Sequence, residues 1–329
     1  MNNSFSVFIM VITPPMWIDL LLLLGGGAAV WLGAEGIVRG AVKLAAYFGV
    51  SAMVVGLTVV AFGTSAPELV VSSLAALKGQ NEIALGNVLG SNIINIALVL
   101  GLSAVIAPMV VTRETFRQDL PLVAVVTVLV VGMAILGDDI SRVDGIILLL
   151  IFAGYSVYTS IRALRENRRN TQVDGWEKPE LKVVHIGFLL GGIPLLAFGA
   201  DWMVQGAVGI AEAAGISKQI IGMTMVAFGT SVPELAASVV AARHGEDDLC
   251  VGNVLGSNLY NMTLILGTAT VINPIPTAVT WHSWDMIIFV LCILILFPMM
   301  RIRWRVGRID GIILMLIYIT SLFLLFAQA

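Results

Sequence analysis

Two carboxylates stand in stretches of sequence otherwise almost free of charge. Glu68 ends the run Ala61-Phe62-Gly63-Thr64-Ser65-Ala66-Pro67-Glu68, and Glu234 ends Ala227-Phe228-Gly229-Thr230-Ser231-Val232-Pro233-Glu234. A carboxylate inside a long apolar segment is expensive, so it faces a partner or a polar cavity. Proline removes a backbone donor and clashes with the carbonyl four residues before it, which predicts a kink beside each glutamate and loosened carbonyls at Gly63 and Gly229. In a helix Ala61, Thr64, Ser65 and Glu68 share one face, because they are spaced three, four and seven apart. That face offers hydroxyls, carbonyl oxygens and one carboxylate. These are hard oxygen ligands, suited to sodium, calcium or magnesium rather than to softer metals.

A second pair of segments follows at matched spacing. Gly86-Asn87-Val88-Leu89-Gly90-Ser91-Asn92-Ile93-Ile94-Asn95 recurs as Gly252-Asn253-Val254-Leu255-Gly256-Ser257-Asn258-Leu259-Tyr260-Asn261. Ser91 and Asn95 lie four apart on one helix face, as do Ser257 and Asn261, and the glycines permit close helix approach. Bland roles compete with functional ones. A hydroxyl in an apolar helix can simply bond back to its own helix. Asn87, Asn92, Asn253 and Asn258 are expected to hold helices together. Glu35 and Asp201, at matched positions near helix ends, are expected to be solvated or interfacial. His185, His244 and His282 show no metal-ligand spacing, and Cys250 matches Ala84, which marks it as a small buried residue. With Cys292 it sits in an apolar stretch, so no disulfide framework is expected.

The elements that must hold these groups are long apolar helices. The chain has 329 residues, 58% hydrophobic and 12% charged, against roughly 25% charged in a soluble domain. Apolar runs of about twenty residues, the length that spans a bilayer, recur throughout. Shifting the sequence by 166 residues aligns Gly56–Pro108 with Gly222–Pro274 without a gap, and 29 of the 53 positions are identical. The same shift pairs Leu32-Gly33-Ala34-Glu35 with Phe198-Gly199-Ala200-Asp201 and Arg142-Val143-Asp144-Gly145 with Arg308-Ile309-Asp310-Gly311. The chain is duplicated. Spans are predicted near 17–40, 51–77, 83–107, 119–137 and 143–163, and again near 182–205, 217–242, 249–272, 284–300 and 308–327. The expected organisation is a tail over 1–16, a first five-helix repeat over 17–163, a linker over 164–181 and a second repeat over 182–329. Five spans per copy is odd, so the copies enter the membrane from opposite sides. The expected fold class is an all-α polytopic membrane protein with ten transmembrane helices in two inverted-topology repeats.

Basic residues give the orientation. One set of loops carries fifteen Lys and Arg, and the other, with both termini, carries Lys78, Arg142 and Lys218 only. This predicts a cytoplasmic linker and both termini on the extracytoplasmic side of a cell membrane. Residues 1–16 contain no Lys or Arg, which argues against a cleaved signal peptide. Symmetry-related glutamates offer no distinct nucleophile, base and oxyanion donor, which argues against a hydrolase. Inverted repeats around one site suit alternating access better than a passive channel.

The paired G-T-S-x-P-E and G-N-x-x-G-S-N-x-x-N segments resemble the alpha repeats of the cation/calcium exchanger superfamily, nearest its prokaryotic sodium/calcium exchangers. The resemblance implies alternating access at one central site that exchanges about three sodium ions for one calcium ion; calcium/proton exchange at the same glutamates is the alternative. Carried over by motif position, it implies Glu68, Glu234, Thr64, Ser65, Ser91, Thr230, Ser231 and Ser257 as ligands. Backbone carbonyls of Ala61, Thr64, Ala227 and Thr230 join them, with Asn95 lining the middle. Asn261 departs from members with an acid at its position, which leaves two carboxylates rather than three and speaks against potassium dependence. Expected partners are sodium and calcium ions and the lipid bilayer, with no cofactor, no nucleic acid and no obligate protein partner.

Overall fold

The computed structural model describes residues 14–137, 139–171, 180–214, 228–276 and 284–328. Ala227, Lys218 and the start of the span predicted at 217–242 lie outside these residues. The chain is almost wholly helical. Helix α1 covers Pro14–Phe48, α2 Ala52–Thr64 and α3 Ala66–Leu77. Helix α4 begins at Asn81, passes through a π-helical stretch at Ile94–Leu100 and ends with Gly101–Ile106. Helix α5 spans Thr115–Leu136, α6 Arg142–Thr171, α7 Val183–Ala213 and α8 Val232–Arg243. Helix α9 spans Asp247–Ile272, with a π-helical stretch at Asn261–Ile265. Helices α10 and α11 cover Trp284–Arg303 and Arg308–Gln328. Among the described residues seven helices are long and apolar enough to cross a bilayer, and the bent pair α2–α3 makes an eighth if counted as one span.

Three boundaries depart from the sequence reading. Helix α1 was expected to stop near 40 but continues to Phe48, burying Ala41 and Ala45 while Arg39 projects outward on the same turns. A charged side chain on one face does not end a helix whose other face is buried. Helix α6 likewise runs past 163, to Thr171. There Arg162 bonds Glu166 one turn on (3.2 Å), Glu166 accepts the Ser51 N–H (2.8 Å), and the Asn167 amide donates to the Phe48 carbonyl. The first turns of the expected linker are thus helix, held by side chains reaching the end of α1. Helix α7 extends to Ala213 rather than 205.

A further departure bears on the site. The span predicted at 51–77 is two half-helices, bent by 47° at Ser65. Pro67 stands in the first turn of α3, and Pro233 in that of α8. A first-turn position has no intrahelical donor to lose, so proline starts a helix there instead of kinking one.

The core is built from α2, α3, α4, α8 and α9. Every residue of α9 from Leu249 to Tyr260 is buried. Helices α1, α5, α6, α7, α10 and α11 surround it and turn apolar side chains outward, among them Leu21, Val128, Leu150, Leu190, Leu294 and Phe323. An outer surface of this kind suits hydrocarbon rather than water. Helices α1 and α7 lie antiparallel and meet through glycines. A Cβ at Gly33 would lie 2.7 Å from the Leu196 nitrogen, and one at Gly199 would lie 2.7 Å from the Val30 nitrogen.

Short bridges tie the helix ends together. β1 (Met109–Val110) pairs antiparallel with β4 (Arg305–Val306), and β2 (Asp139–Ile140) with β3 (Ile275–Pro276). The Val110 N–H also donates to Asp247 at 2.8 Å, and Arg308 donates to the Val105 carbonyl at 3.2 Å. Elsewhere Asn81 donates to the Pro274 carbonyl (2.9 Å) and accepts from Asn273 (2.8 Å). Helix ends therefore gather into two groups, one around 48–51, 105–115, 162–167, 243–247 and 301–308, the other around 81, 139–140 and 273–276. The repeated Arg-x-Asp-Gly segments cap helices in the same way. Asp144 accepts the Ser141 N–H (2.9 Å) and Asp310 the Gly307 N–H (2.8 Å), each closing the first turn of its helix.

Candidate cation site

The break at Ser65 sets the geometry. It ends α2 at Thr64 and starts α3 so that Glu68 falls in its first turn, and Glu234 takes the same place in α8. The unpaired N–H groups of a helix start carry partial positive charge, which stands beside each carboxylate. Both glutamates are fully buried, at 0% exposure.

Each carboxylate is met by a hydroxyl from the other half of the chain. Ser65 donates to Glu234 Oε1 at 2.9 Å, and Ser231 donates to Glu68 Oε1 at 3.3 Å. Ser257 adds a donor to Glu234 Oε1 at 3.4 Å. The threonines cross in the same way. Thr64 donates to Asn253 Oδ1 (3.2 Å) and Thr230 to Asn87 Oδ1 (3.1 Å). Asn87 in turn donates to Ser72 and Asn253 to Ser238, both at 2.9 Å. The duplication has produced these serine, threonine and asparagine contacts twice, with Ser65, Ser231, Thr64 and Thr230 each reaching across, whereas the Ser257 contact has no counterpart at Ser91.

Ser91, Asn95 and Asn261 complete the cluster and are fully buried. Asn95 and Asn261 sit in the π-helical stretches of α4 and α9, where an extra residue per turn re-aims side chains and frequently marks a functional site. Several polar atoms here have no protein partner: Oε2 of Glu68 and of Glu234, the Ser91 hydroxyl, and both amide atoms of Asn95 and of Asn261. Buried polar atoms normally have partners, so this concentration at one place is informative. Among the described residues no group of three or more His, Cys, Asp or Glu has metal-holding geometry. A cation here would rely on two carboxylates and neutral oxygens.

Of the twelve residues singled out from the sequence, all but Ala227 are described, and all eleven of those are buried. The Ala61 carbonyl accepts the Ser65 N–H (3.0 Å) and the Thr64 hydroxyl (3.3 Å). Asn87 and Asn253 hold helices together as expected. Asn92 instead bonds the Val88 carbonyl of its own helix (2.8 Å), and the Asn258 amide has no partner. Ser72 and Ser238 were passed over, although both are fully buried and occupy identical places in the two copies, which was the available signal. Glu35 is not simply solvated, because it accepts from Arg39 (2.7 Å) and faces His244 Nε2 (3.0 Å). Asp119, at the start of the span predicted at 119–137, and Arg162, counted among the basic residues that give the orientation, form a buried pair at 2.8 Å.

Comparison with known proteins agrees with this architecture. The family described as Sodium/calcium exchanger protein matches residues 18–161 and again 184–327, two stretches offset by the same 166 residues as the internal repeat. The putative antiporter CaxA of Alkalimonas amylolytica is 36% identical over 317 residues, covering 94% of this chain and 98% of its own. The sodium/calcium exchanger MaX1 of Methanosarcina acetivorans is 30% identical over 350 residues, with 94% of this chain and 99% of that one covered. Solved structures of the sodium–calcium exchanger NCX_Mj superpose with a TM-score of 0.77 at 32% identity, covering 93% of this chain and 98% of theirs. With both halves matched and the whole length shared, the chain belongs to the sodium/calcium exchanger family.

Proposed function

We propose that the protein is a secondary antiporter that exchanges about three sodium ions for one calcium ion by alternating access, through one site centred on Glu68 and Glu234. The observation that carries this is the crossed pair of buried carboxylates, each with one oxygen bonded by a hydroxyl of the other repeat and one oxygen unpartnered. In this reading Thr64, Ser65, Ser91, Thr230, Ser231 and Ser257, the carbonyls near Ala61 and Ala227, and Asn95 and Asn261 complete the coordination. Two ionised glutamates neutralise one calcium ion, so the loaded site crosses its barrier uncharged. Three sodium ions leave it at +1. One charge moved through 100 mV is worth about 2.3 kcal/mol, so an inside-negative potential drives calcium outward.

Proteoliposomes test the coupling ion. Calcium uptake is expected to follow an outward sodium gradient with potassium replaced by an inert cation, and to be absent under a pH gradient alone. Uptake driven by protons without sodium would select the calcium/proton alternative, and an absolute need for potassium would contradict the reading of Asn261.

The ten-span plan with inverted repeats is supported by the way helix ends gather. The arginine-bearing segments 107–115, 162–168, 243–247 and 301–308 cluster at one end, while Asn81, Arg142 and 273–276 belong to the other. The first end is the cytoplasmic one in this reading. A cysteine introduced between Arg165 and Lys178 in intact cells is expected to react only with reagents that reach the cytoplasm. Labelling by an impermeant external reagent would reverse the orientation.

A further inference from the structure

At the arginine-rich end, α1 is fastened to α8. Glu35 holds Arg39 with one oxygen and faces His244 Nε2 with the other at 3.0 Å, and the Arg243 guanidinium lies 5.0 Å over the Trp31 ring. Helix α1 packs along α8 there. The 166-residue offset maps Glu35 onto Asp201 and His244 onto Lys78, a carboxylate and a nitrogen-bearing basic side chain again. Their surroundings match closely. His244 and Lys78 each follow the last residue of a half-helix, and each precedes a glycine in the left-handed region, Gly245 at φ +73° and Gly79 at φ +72°.

The contact itself is not repeated. Asp201 accepts from Gln205 at 2.7 Å, and among the described residues neither Asp201 nor Lys78 forms an ion pair. Helix α7 has no packing on α3 comparable to that of α1 on α8. Leu74 of α3 is 49% exposed, whereas its counterpart Val240 in α8 is 1% exposed. Two copies of one sequence thus hold one closed seam and one open seam.

We propose that Glu35–His244 and Lys78–Asp201 are alternating latches, one closed in each of the two facing states of the carrier. The state described here has the first closed. In the other, α7 lies over α3, Leu74 is covered, Asp201 turns from Gln205 to Lys78, and Glu35 parts from His244. The proposal rests on the alternating-access reading above. Its chemistry suits a reversible device. Partly exposed polar contacts of this kind, even when both partners are charged, bias an equilibrium only by up to about fivefold, enough to steady each end state without trapping it.

Two cysteine pairs test it, Glu35→Cys with His244→Cys and Lys78→Cys with Asp201→Cys, in protein carrying Cys250→Ala and Cys292→Ala. The first pair is expected to cross-link readily in the state described here. The second is expected to cross-link when sodium and calcium are supplied on opposite sides of the liposome. Either bond should arrest exchange until it is reduced, and a protein with all four cysteines should carry one bond or the other in each molecule. Absence of the second cross-link in protein that still exchanges calcium, or both bonds in one molecule, would overturn the proposal. A measurement without transport separates this from failure of the exchanger reading. Labelling of Leu74→Cys is expected to quicken up to about fivefold with Lys78→Asp and to return on adding Asp201→Lys. If neither change alters labelling, the second latch does not exist.

Discussion

Glu68→Gln and Glu234→Gln are each expected to abolish sodium-dependent calcium exchange while leaving a folded, membrane-inserted protein. Glutamine keeps the size of the side chain and one acceptor, so the Ser65–Glu234 and Ser231–Glu68 contacts across the two halves can persist. What it removes is charge. With one carboxylate left, a bound calcium ion stays at +1 in a site with no water-exposed surface. At an effective dielectric near 20, losing a charge contact at about 4 Å costs roughly 4 kcal/mol, or about a thousandfold in affinity. The two-fold pattern of contacts sharpens the expectation, because both substitutions should fail alike. Glu180→Gln, at an exposed residue on the linker, should leave exchange unchanged. Calcium flux and calcium binding in reconstituted protein provide the measurement. Near-normal flux in either glutamine variant would remove the central two-carboxylate site.

The buried polar cluster was legible because duplication wrote it twice. A buried Glu after Pro, with Thr and Ser one turn earlier, has few structural uses, and its recurrence at a fixed offset removes most of them. The way the helix presents these groups to the cluster was harder to read. Helical spacing placed Ala61, Thr64, Ser65 and Glu68 on one continuous face, whereas a break at Ser65 separates them into the end of one half-helix and the start of the next. A proline pattern inside an apolar run fits both a kink and a new helix start, and only the surrounding packing decides between them. Crossed contacts such as Thr64–Asn253 and Thr230–Asn87 were invisible for a different reason: they depend on how the two copies meet, which sequence periodicity does not encode. The same holds for Glu35 and His244, each unremarkable in its own helix and paired only by tertiary packing. Helices α1 and α6 run past the expected ends near 40 and 163, to Phe48 and Thr171, because long basic side chains let a helix continue into the interface.

The seam between α1 and α7 offers the other large effect, and it turns on which glycines are needed. Gly26, Gly33 and Gly40 recur every seven residues, and the 166-residue offset carries them onto Gly192, Gly199 and Gly206. All six face the partner helix, where an added Cβ would lie within 3 Å of its atoms, most of them backbone. Side chains can rotate away from an intruding methylene, but a helix backbone cannot, so the overpacking cost lies at or above the upper end of the usual range, about 3 kcal/mol. That is more than a hundredfold in the folding equilibrium. Gly33→Leu and Gly199→Leu are therefore expected to give little monodisperse protein, or protein with a markedly lowered melting temperature. Neighbouring glycines supply the control within the same helices. A Cβ at Gly25, Gly27, Gly187 or Gly191 would meet nothing within 4 Å. Leucine at these four should change stability by about 0.5 kcal/mol or less, since it enters open space on the apolar outer surface. In the triplet Gly25-Gly26-Gly27, only the middle residue should resist substitution. Equal tolerance at Gly26 and Gly27, measured by thermal unfolding of the purified protein, would mean that the two helices do not meet along this stripe.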